Sequence, residues 1–305
     1  MGLTASLANW IDTAGHAIRS AGITQTPVFA SRPGMAHVRF RETIIRYRVA
    51  GDGSQTLLLA ADPPIVIEHY DELIGELQPD FRVVVVELPG FGFSLPRLGA
   101  NFSFTPANDL VAAFLRQVAF GPYLLAFPCV SAYGAVDIAA RYPDLVRGVV
   151  VIQAPAWDEE IKWKRGRDKT GVLSKPVVGQ LALKALKRKR APQWFEAAVG
   201  KRERLTSFIE TADSAFRHGA CFCLASAFQR YLTDTPPQLL PFVQPALVVW
   251  GDADRSHRRT DKASTFIYCP HAREVHIPAA GHFPELEEPQ LFARALREWV
   301  RTIQS

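Results

Sequence analysis

Short apolar runs rich in β-branched residues alternate along the chain with stretches in which apolar residues recur at helical spacing. Because strands that alternate with helices pack into a mostly parallel sheet, the pattern predicts an α/β fold. The predicted strands are Ala36–Phe40, Thr43–Ala50, Thr56–Ala60, Arg82–Leu88, Tyr123–Phe127, Val146–Ile152, Ala246–Trp250 and Arg273–Ile277. The predicted helices between and after them are His69–Leu77, Ala107–Val118, Tyr133–Arg141 and Glu288–Ile303.

One long segment, residues 153–237, interrupts this alternation and is predicted to be helical. Its predicted helices are Gln180–Arg190, Pro192–Val199 and Phe208–Leu232, the last with uncertain breaks. We therefore expect a core domain made of residues 35–152 and 238–305, with 153–237 inserted. Residues 1–34 are expected to form an amphipathic helix over Leu3–Ser20 and a linker, the helix packing on its own protein or on a second copy.

The composition is that of a globular protein, with 48% hydrophobic residues and a mean hydropathy near zero. No apolar run is long enough to predict a membrane span, and the N-terminus lacks the layout of a signal peptide. The four cysteines form neither a disulfide ladder nor a paired C-x-x-C pattern. We therefore expect a cytoplasmic protein with no metal site and no cofactor.

Positive charge is concentrated in the predicted insertion. Between Asp158 and Glu210 there are 14 lysines and arginines against 7 acidic residues, whereas the whole chain has a net charge of +5. Such a surface would attract an acidic partner, although a solvated basic face without function is an equal alternative. Nucleic acid is not expected, because no recognition motif accompanies the basic residues.

The sharpest local feature is the strand-to-helix turn within Tyr123–Pro143. A short turn at Pro128–Ser131 separates the predicted strand from the predicted helix. A turn this tight presents one side chain above the sheet edge, at a helix N-terminus that favours negative charge. The side chain at the apex is Cys129, and we expect its thiol pKa to be lowered there. The alternatives are an inert buried Cys129 or an apex at Ser131.

The turn resembles the nucleophile elbow of α/β-hydrolases, G-x-S-x-G, with cysteine in place of serine. Pro122 and the AARYP segment that ends at Pro143 set the register, and Phe127 and Ser131 replace the two glycines. A second motif, E-L-P-G-F-G-F-S from Glu87, is similar to the family's D-x-P-G-x-G-x-S turn and is expected to be structural. The resemblance implies an α/β-hydrolase whose insertion is a cap over the active site.

Two further segments resemble the loops that complete the family's catalytic triad. G-D-A-D ends at Asp254 and corresponds to the loop of the triad acid, and A-G-H-F-P contains His282 at the catalytic histidine position. The resemblance therefore implies a Cys129–His282–Asp254 triad. Other candidates are weaker: Asp252 as the acid, His257 on a loop that looks solvated, His69 and His271 without motif context, and Asp137 inside the elbow helix.

The oxyanion donors implied by the family are the backbone N–H groups of Val130 and Asp62. The usual His-Gly pair is replaced by Ala60-Ala61, and an acid follows at Asp62. A carboxylate beside a developing negative charge is unfavourable, so we expect the Asp62 side chain to point away.

A thiol nucleophile and a basic cap together favour acyl thioesters as substrates. The predicted function is that of a thioesterase or acyl transferase, with the acyl chain carried by coenzyme A or by an acidic acyl carrier protein. The alternatives are a small ester or lactone hydrolase, and a catalytically inactive binding protein on a hydrolase fold. The acyl group, the acceptor and the oligomeric state are not predictable from the sequence.

Overall fold

The computed structural model describes residues 3–14, 32–40, 43–97 and 99–303. Its centre is a nine-stranded sheet in the order β1-β2-β4-β3-β7-β8-β10-β11, with β6 pairing β2. The strands are β1 (Met35–Phe40), β2 (Thr43–Ala50), β3 (Thr56–Ala61), β4 (Arg82–Glu87), β5 (Phe91–Gly92), β6 (Leu95–Pro96), β7 (Tyr123–Pro128), β8 (Val146–Ile152), β9 (Cys221–Phe222), β10 (Ala246–Gly251) and β11 (Arg273–Ile277).

Within this sheet, all neighbours in the order from β4 to β11 pair in parallel, and the pairs that involve β1, β2 and β6 are antiparallel. The strands β3, β7 and β10 are buried along their whole length because helices cover both faces of the sheet. This agrees with the α/β class predicted from the alternation. The carboxyl ends of the parallel strands lie at one edge, where ligands bind in such sheets.

Helices form two layers around the sheet. Helices α3 and α4 contribute to the apolar core on one face, and α2 and α10 to the core on the other. In chain order the helices are α1 (Leu3–Thr13), α2 (Asp71–Leu77), α3 (Phe104–Val118), α4 (Ala132–Arg141), α5 (Trp157–Arg167), α6 (Val178–Ala198), α7 (Arg202–Arg217), α8 (Leu224–Ser226), α9 (Pro284–Glu287) and α10 (Pro289–Thr302).

We call residues 157–231, which contain α5 to α8 and a π-helical turn at Ala227–Tyr231, the helical insertion. The prediction that Pro192 separates two helices is wrong, because α6 continues through it. A proline inside a helix removes one hydrogen bond, here to the carbonyl of Arg188, which is exposed and can reach water. Burial of Ala191 and Phe195 on either side of Pro192 holds the helix in place.

The predicted helix over Phe208–Leu232 is also wrong in part. Helix α7 ends at Arg217, and Cys221–Phe222 instead forms β9, which pairs antiparallel with β5. This small sheet joins the helical insertion to the turn after β4. Strands of two residues have no detectable alternation, so the sequence pattern could not show them.

The turn after β4 is held together by Glu87. Its carboxylate accepts hydrogen bonds from the backbone N–H groups of Ile67 (3.1 Å) and Phe93 (2.6 Å) and pairs with buried Arg46 at 3.0 Å. Gly92 lies in the left-handed region at φ +54°, and a Cβ there would stand 2.3 Å from the Glu87 carboxyl carbon. The motif therefore has the structural role that the sequence predicts.

The N-terminal helix packs on its own chain. Asn9 donates to the carbonyl of Ala100 at 2.8 Å, Ser226 donates to buried Asp12, and Arg230 donates to the carbonyl of Ala5 at 3.0 Å. The rest of the predicted Leu3–Ser20 helix and most of the linker lie outside the described residues. Among the described helices, none has the length and apolarity that crossing a membrane requires.

Candidate active site

Cys129 occupies the apex of the turn between β7 and α4. Its φ of +50° is in the left-handed region, which non-glycine residues rarely adopt. A single 3-10 turn, Cys129–Ser131, connects the strand to the helix. The apex therefore lies at Cys129 and not at Ser131, whose hydroxyl donates to the carbonyl of Pro128.

His282 and Asp254 come from the loops after β11 and β10. Nδ1 of His282 lies 2.8 Å from Oδ2 of Asp254, and both side chains are almost fully buried. Burial alone would raise the pKa of Asp254, but the neighbouring His282 charge outweighs it and lowers that pKa to about 2. Asp254 is therefore a carboxylate that fixes the orientation of the imidazole ring.

The opposite nitrogen of the ring faces Cys129. Nε2 of His282, Sγ of Cys129 and a carboxylate oxygen of Asp62 all lie within 4.8 Å of one another. Among the described residues, Nε2 has no hydrogen-bond partner. The fold thus brings together residues that are 153 positions apart in the chain, and it leaves the thiol within reach of the imidazole.

The side chain of Asp62 does not point away from the site. Its Oδ2 lies 3.4 Å from Nε2 of His282, on the side of the ring that also faces the thiol. The expectation for this side chain is therefore wrong, and the reason is that the buried imidazole offers it an opposite charge. Burial raises the pKa of the Asp62 carboxyl, although the contact with His282 opposes this.

The expectation of a lowered thiol pKa is also wrong. Burial raises the pKa of Cys129, and the negative charges of Asp62 and Glu160 raise it further, while His282 acts in the opposite direction. Burial lowers the pKa of His282, but Asp254, Cys129 and Asp62 more than offset this and raise it well above its ordinary value. The helix N-terminus does not compensate for desolvation and two nearby acids.

His257 is buried instead of solvated, contrary to the sequence-based interpretation, with 1% of its surface exposed. Its ring stacks between those of Trp163 and His282, with ring centroids 5.4 Å and 5.3 Å apart. Burial and the charge of His282 lower the pKa of His257 to about 3, so it is neutral at physiological pH. The rings of Trp194 and His282 pack in a T-shaped arrangement, with their centroids 5.1 Å apart. The helical insertion therefore packs directly against the ring of His282.

Two more residues that the sequence did not indicate support the site. Gln153, at φ +50°, donates to Oδ2 of Asp254 at 2.8 Å and accepts from the backbone N–H of Gly251 at 2.8 Å. Glu160 on α5 is fully buried, and Tyr133 donates to it at 3.5 Å. Burial raises the pKa of Glu160 to about 8. Neither residue belongs to a local motif, so only the fold reveals them.

The alternative candidates lie elsewhere. Asp252 is partly exposed and pairs with Lys262 at 2.6 Å and His276 at 2.8 Å. Asp137 accepts from Asn108 at 2.9 Å and pairs with Arg141. His69 and His271 hydrogen-bond to backbone carbonyls at 3.2 Å and 2.7 Å. None of these residues is placed to act on the thiol.

A cavity of about 1110 Å³ opens from Cys129 into the space between the core and the helical insertion. Cys129, Asp62 and Val130 line its floor, and the insertion contributes much of its wall. Exposed basic residues of the insertion that also line the cavity are Arg167, Lys169 and Arg190. None of the three forms a salt bridge with a described residue.

A family model described as the alpha/beta hydrolase family matches residues 59–295. A 2-(acetamidomethylene)succinate hydrolase from Mesorhizobium japonicum is 25% identical over 76% of this chain and 82% of its own length. A pimeloyl-[acyl-carrier protein] methyl ester esterase from Xanthomonas campestris is 27% identical over 79% of this chain and 96% of its own.

Solved structures show the same architecture. The Cif epoxide hydrolase from Acinetobacter nosocomialis superposes with a TM-score of 0.72 over 93% of this chain and 96% of its own. Only 15% of the aligned residues are identical, so this likeness concerns the fold alone. It agrees with the strand order and the parallel pairing described above.

Proposed function

Because the chain belongs to the α/β-hydrolase family, we propose that it cleaves or transfers acyl groups held in thioester linkage, through a covalent intermediate on Cys129. The single observation that carries this proposal is the thiol at the apex of the elbow. It faces a large cavity and stands within 4.8 Å of Nε2 of a histidine that is hydrogen-bonded to a buried carboxylate.

In the first half of the proposed reaction, His282 accepts the thiol proton while Sγ of Cys129 attacks the acyl carbon. Asp254 stabilises the imidazolium ion that forms. The carbonyl oxygen becomes an oxyanion, for which we assign the backbone N–H groups of Val130 and Asp62 as donors. Collapse expels the thiol of the substrate carrier, which takes its proton from His282 and leaves the acyl group on Cys129.

In the second half, water or an acceptor hydroxyl or thiol attacks the new thioester. His282 removes the proton of that nucleophile and returns it to Cys129 as the acyl product leaves. Transfer of an acyl group between two sulfurs is nearly isoenergetic, which is the reason that a thiol nucleophile suits a thioester substrate.

The Asp62 carboxyl has to be neutral for this sequence to run. A carboxylate 3.4 Å from Nε2 would compete with Cys129 for the imidazole and would repel the developing oxyanion. We infer that Asp62 and His282 share one proton. When this proton lies on Asp62, the carboxyl is neutral and Nε2 is free to accept the thiol proton.

Basic residues that line the cavity support a carrier-bound substrate. Arg167, Lys169 and Arg190 have no acidic partner in a salt bridge among the described residues, and Arg167 lies over the ring of Trp194 at 4.9 Å. Phosphate groups of coenzyme A, or the acidic surface of an acyl carrier protein, would complement them. The pimeloyl-[acyl-carrier protein] methyl ester esterase to which the chain is similar is named for a substrate on an acyl carrier protein. We propose that the helical insertion is the cap of this site.

The compartment is part of the proposal. Cys129 is a free, buried thiol. A nucleophilic thiol has to remain reduced, so we propose a reducing cytoplasmic environment.

Steady-state kinetics on matched substrates test the substrate class. The comparison uses one acyl group presented as the coenzyme A thioester, as the pantetheine thioester and as the p-nitrophenyl ester. The proposal predicts the highest kcat/KM for the coenzyme A thioester and a loss of about tenfold or more when Arg167, Lys169 and Arg190 are all replaced by glutamine. Pantetheine lacks the nucleotide phosphates, so its kcat/KM should fall less.

Two results would overturn the assignment in different ways. A preference for the p-nitrophenyl ester that is unaffected by the triple substitution supports the small-ester hydrolase instead. No turnover of any of the three, with no acyl adduct on Cys129, supports a binding protein on a hydrolase fold.

A further inference from the structure

Asp62, Cys129 and His282 together form a cluster of three different metal-binding groups. A carboxylate oxygen, a thiol sulfur and an imidazole nitrogen lie within 4.8 Å of one another, and all three residues are buried. Nε2 of His282, in a residue with no exposed surface, makes no hydrogen bond of good geometry with a described residue, and its contact with Oδ2 of Asp62 is an ion pair at 3.4 Å. From this geometry we propose that the three side chains form a binding site for Zn²⁺.

The separations fit tetrahedral coordination. Ligand atoms at zinc's usual bond lengths, about 2.0–2.3 Å, are about 3.3–3.7 Å apart around a tetrahedral centre. The distance from Oδ2 of Asp62 to Nε2 of His282 is 3.4 Å. Two of the three donors therefore already have the required spacing, and Sγ of Cys129 lies within 4.8 Å of both of them.

Asp254 completes the surroundings that such a site needs. A zinc-bound imidazole normally donates its other N–H to a carboxylate, which fixes the ring and raises its basicity. Nδ1 of His282 makes this contact with Asp254 at 2.8 Å. The ring is further held by stacking on His257, so Nε2 is directed at the proposed ion without any rearrangement.

The donor set leaves a fourth position open. Asp62 and Cys129 line the cavity, and a water molecule or a small anion can therefore complete the tetrahedron from that side. Binding converts the thiol to a thiolate and releases its proton to solvent. Since the ion occupies both Sγ and Nε2, Zn²⁺ binding and a free nucleophilic thiol are mutually exclusive.

Two other groups of donors compete for the assignment. Asp254, His257 and His282 also lie within 4.8 Å of one another, but Nδ1 of His282 is already engaged by Asp254. On the surface, His276 contacts Asp252 at 2.8 Å and Glu274 at 3.3 Å. Neither group contains sulfur, and this difference distinguishes the proposed site from both of them by spectroscopy.

The test is a titration of the metal-free full-length protein with Co²⁺, followed by displacement with Zn²⁺. Co²⁺ bound to a thiolate gives a sulfur-to-metal charge-transfer band, whereas carboxylate and imidazole ligands do not. We expect one equivalent of Co²⁺ to produce this band, Zn²⁺ to abolish it, and Zn²⁺ to protect Cys129 from alkylation.

Four variants locate the ion. Cys129→Ser should remove the band, and Asp62→Asn should keep it but weaken Zn²⁺ binding by about tenfold or more. His257→Phe keeps the stacked ring and His276→Gln changes only the surface group, so both should bind Zn²⁺ like the unchanged protein. Circular dichroism of each variant verifies folding, and Asp62→Asn carries the test if Cys129→Ser does not fold.

The proposal is overturned if no band forms, if the band persists in Cys129→Ser, or if Zn²⁺ affinity falls in His257→Phe or His276→Gln but not in Asp62→Asn. Since the readout is metal binding, each of these outcomes is independent of whether the protein cleaves thioesters.

Discussion

Oδ2 of Asp62 lies 3.4 Å from Nε2 of His282, on the side of the imidazole that faces the thiol of Cys129. The position after β3 thus carries an acid that interacts with the catalytic histidine candidate, in addition to the backbone N–H that the family uses there. The same carboxyl raises the pKa of the thiol and contributes to the raised pKa of the imidazole. Asp62 therefore controls how readily Cys129 loses its proton.

The first prediction follows from this contact. Asp62→Asn removes, at nearly constant volume, the negative charge that Asp62 carries whenever the shared proton lies on His282, so the pKa of the thiol should fall. We expect alkylation by iodoacetamide at pH 7.5, with a chelator present, to become faster by about tenfold, which corresponds to one pKa unit. Mass spectrometry of peptides measures the rate, and buried Cys269, remote from Asp62, is the internal control. An unchanged or slower rate at Cys129 contradicts the proposed role.

Gln153 provides the second prediction. Its amide links Asp254 to the backbone of Gly251, and this keeps the carboxylate positioned against the ring of His282. Gln153→Met keeps the length of the side chain but removes both hydrogen bonds. We expect kcat on the preferred acyl substrate to fall by roughly tenfold with little change in KM, because the change affects the orientation of the base and not the cavity. A rise in KM at constant kcat would show that Gln153 acts on substrate binding.

The third prediction concerns pH and stability. Glu285 is fully buried, and neither carboxyl oxygen has a hydrogen-bond partner among the described residues. Burial raises the pKa of Glu285 from 4.5 to about 8. Between these two values the folded protein retains a proton that the unfolded chain has lost. The free energy of unfolding should therefore fall as pH rises through this window, by about 1.4 kcal/mol per pH unit from this group.

Glu285→Gln removes that ionisation. Urea denaturation of both proteins at pH 6 and pH 8 should show that the variant gains stability, relative to the unchanged protein, on going to the higher pH. An equal difference at both pH values would mean that Glu285 is already ionised in the folded protein at pH 6.

Gly92 and Gly99 form a matched pair for the fourth prediction. Both have positive φ, +54° and +95°, but a Cβ at Gly92 would collide with the Glu87 carboxyl while one at Gly99 meets no atom within 4 Å. Gly92→Ala should therefore cost more stability than Gly99→Ala, by roughly 1–3 kcal/mol in urea denaturation. Equal losses would mean that only backbone strain matters and that Glu87 can move aside.

Much of the fold could be predicted because the buried strands are long. The runs Thr56–Ala60, Arg82–Leu88 and Val146–Ile152 each contain four consecutive apolar residues, and the structure has strands there. Pro192 misled the prediction of α6 because tertiary packing on both sides outweighs one lost hydrogen bond. The strands β5 and β9 are stabilised only by each other and by the insertion, so no local pattern marks them.

The site was predictable only where a motif marks it. The loops that carry Cys129, Asp254 and His282 resemble family motifs, and the structure brings these three residues together. His257 and Glu160 belong to no motif, because stacking and burial depend on how the insertion folds over the core. The direction of the thiol pKa was predicted wrongly, since it depends on the burial of Cys129 and on acids from two other segments.

The most direct test of the central claim is the mass of the intact protein after incubation with acyl-pantetheine thioesters. A nucleophilic Cys129 predicts an adduct of one acyl group in the unchanged protein, located on Cys129 by peptide mapping, and none in Cys129→Ala. His282→Gln should slow adduct formation strongly without moving it to another residue. Acylation that persists in Cys129→Ala, or turnover of the thioester at an undiminished rate in that variant, would contradict the account.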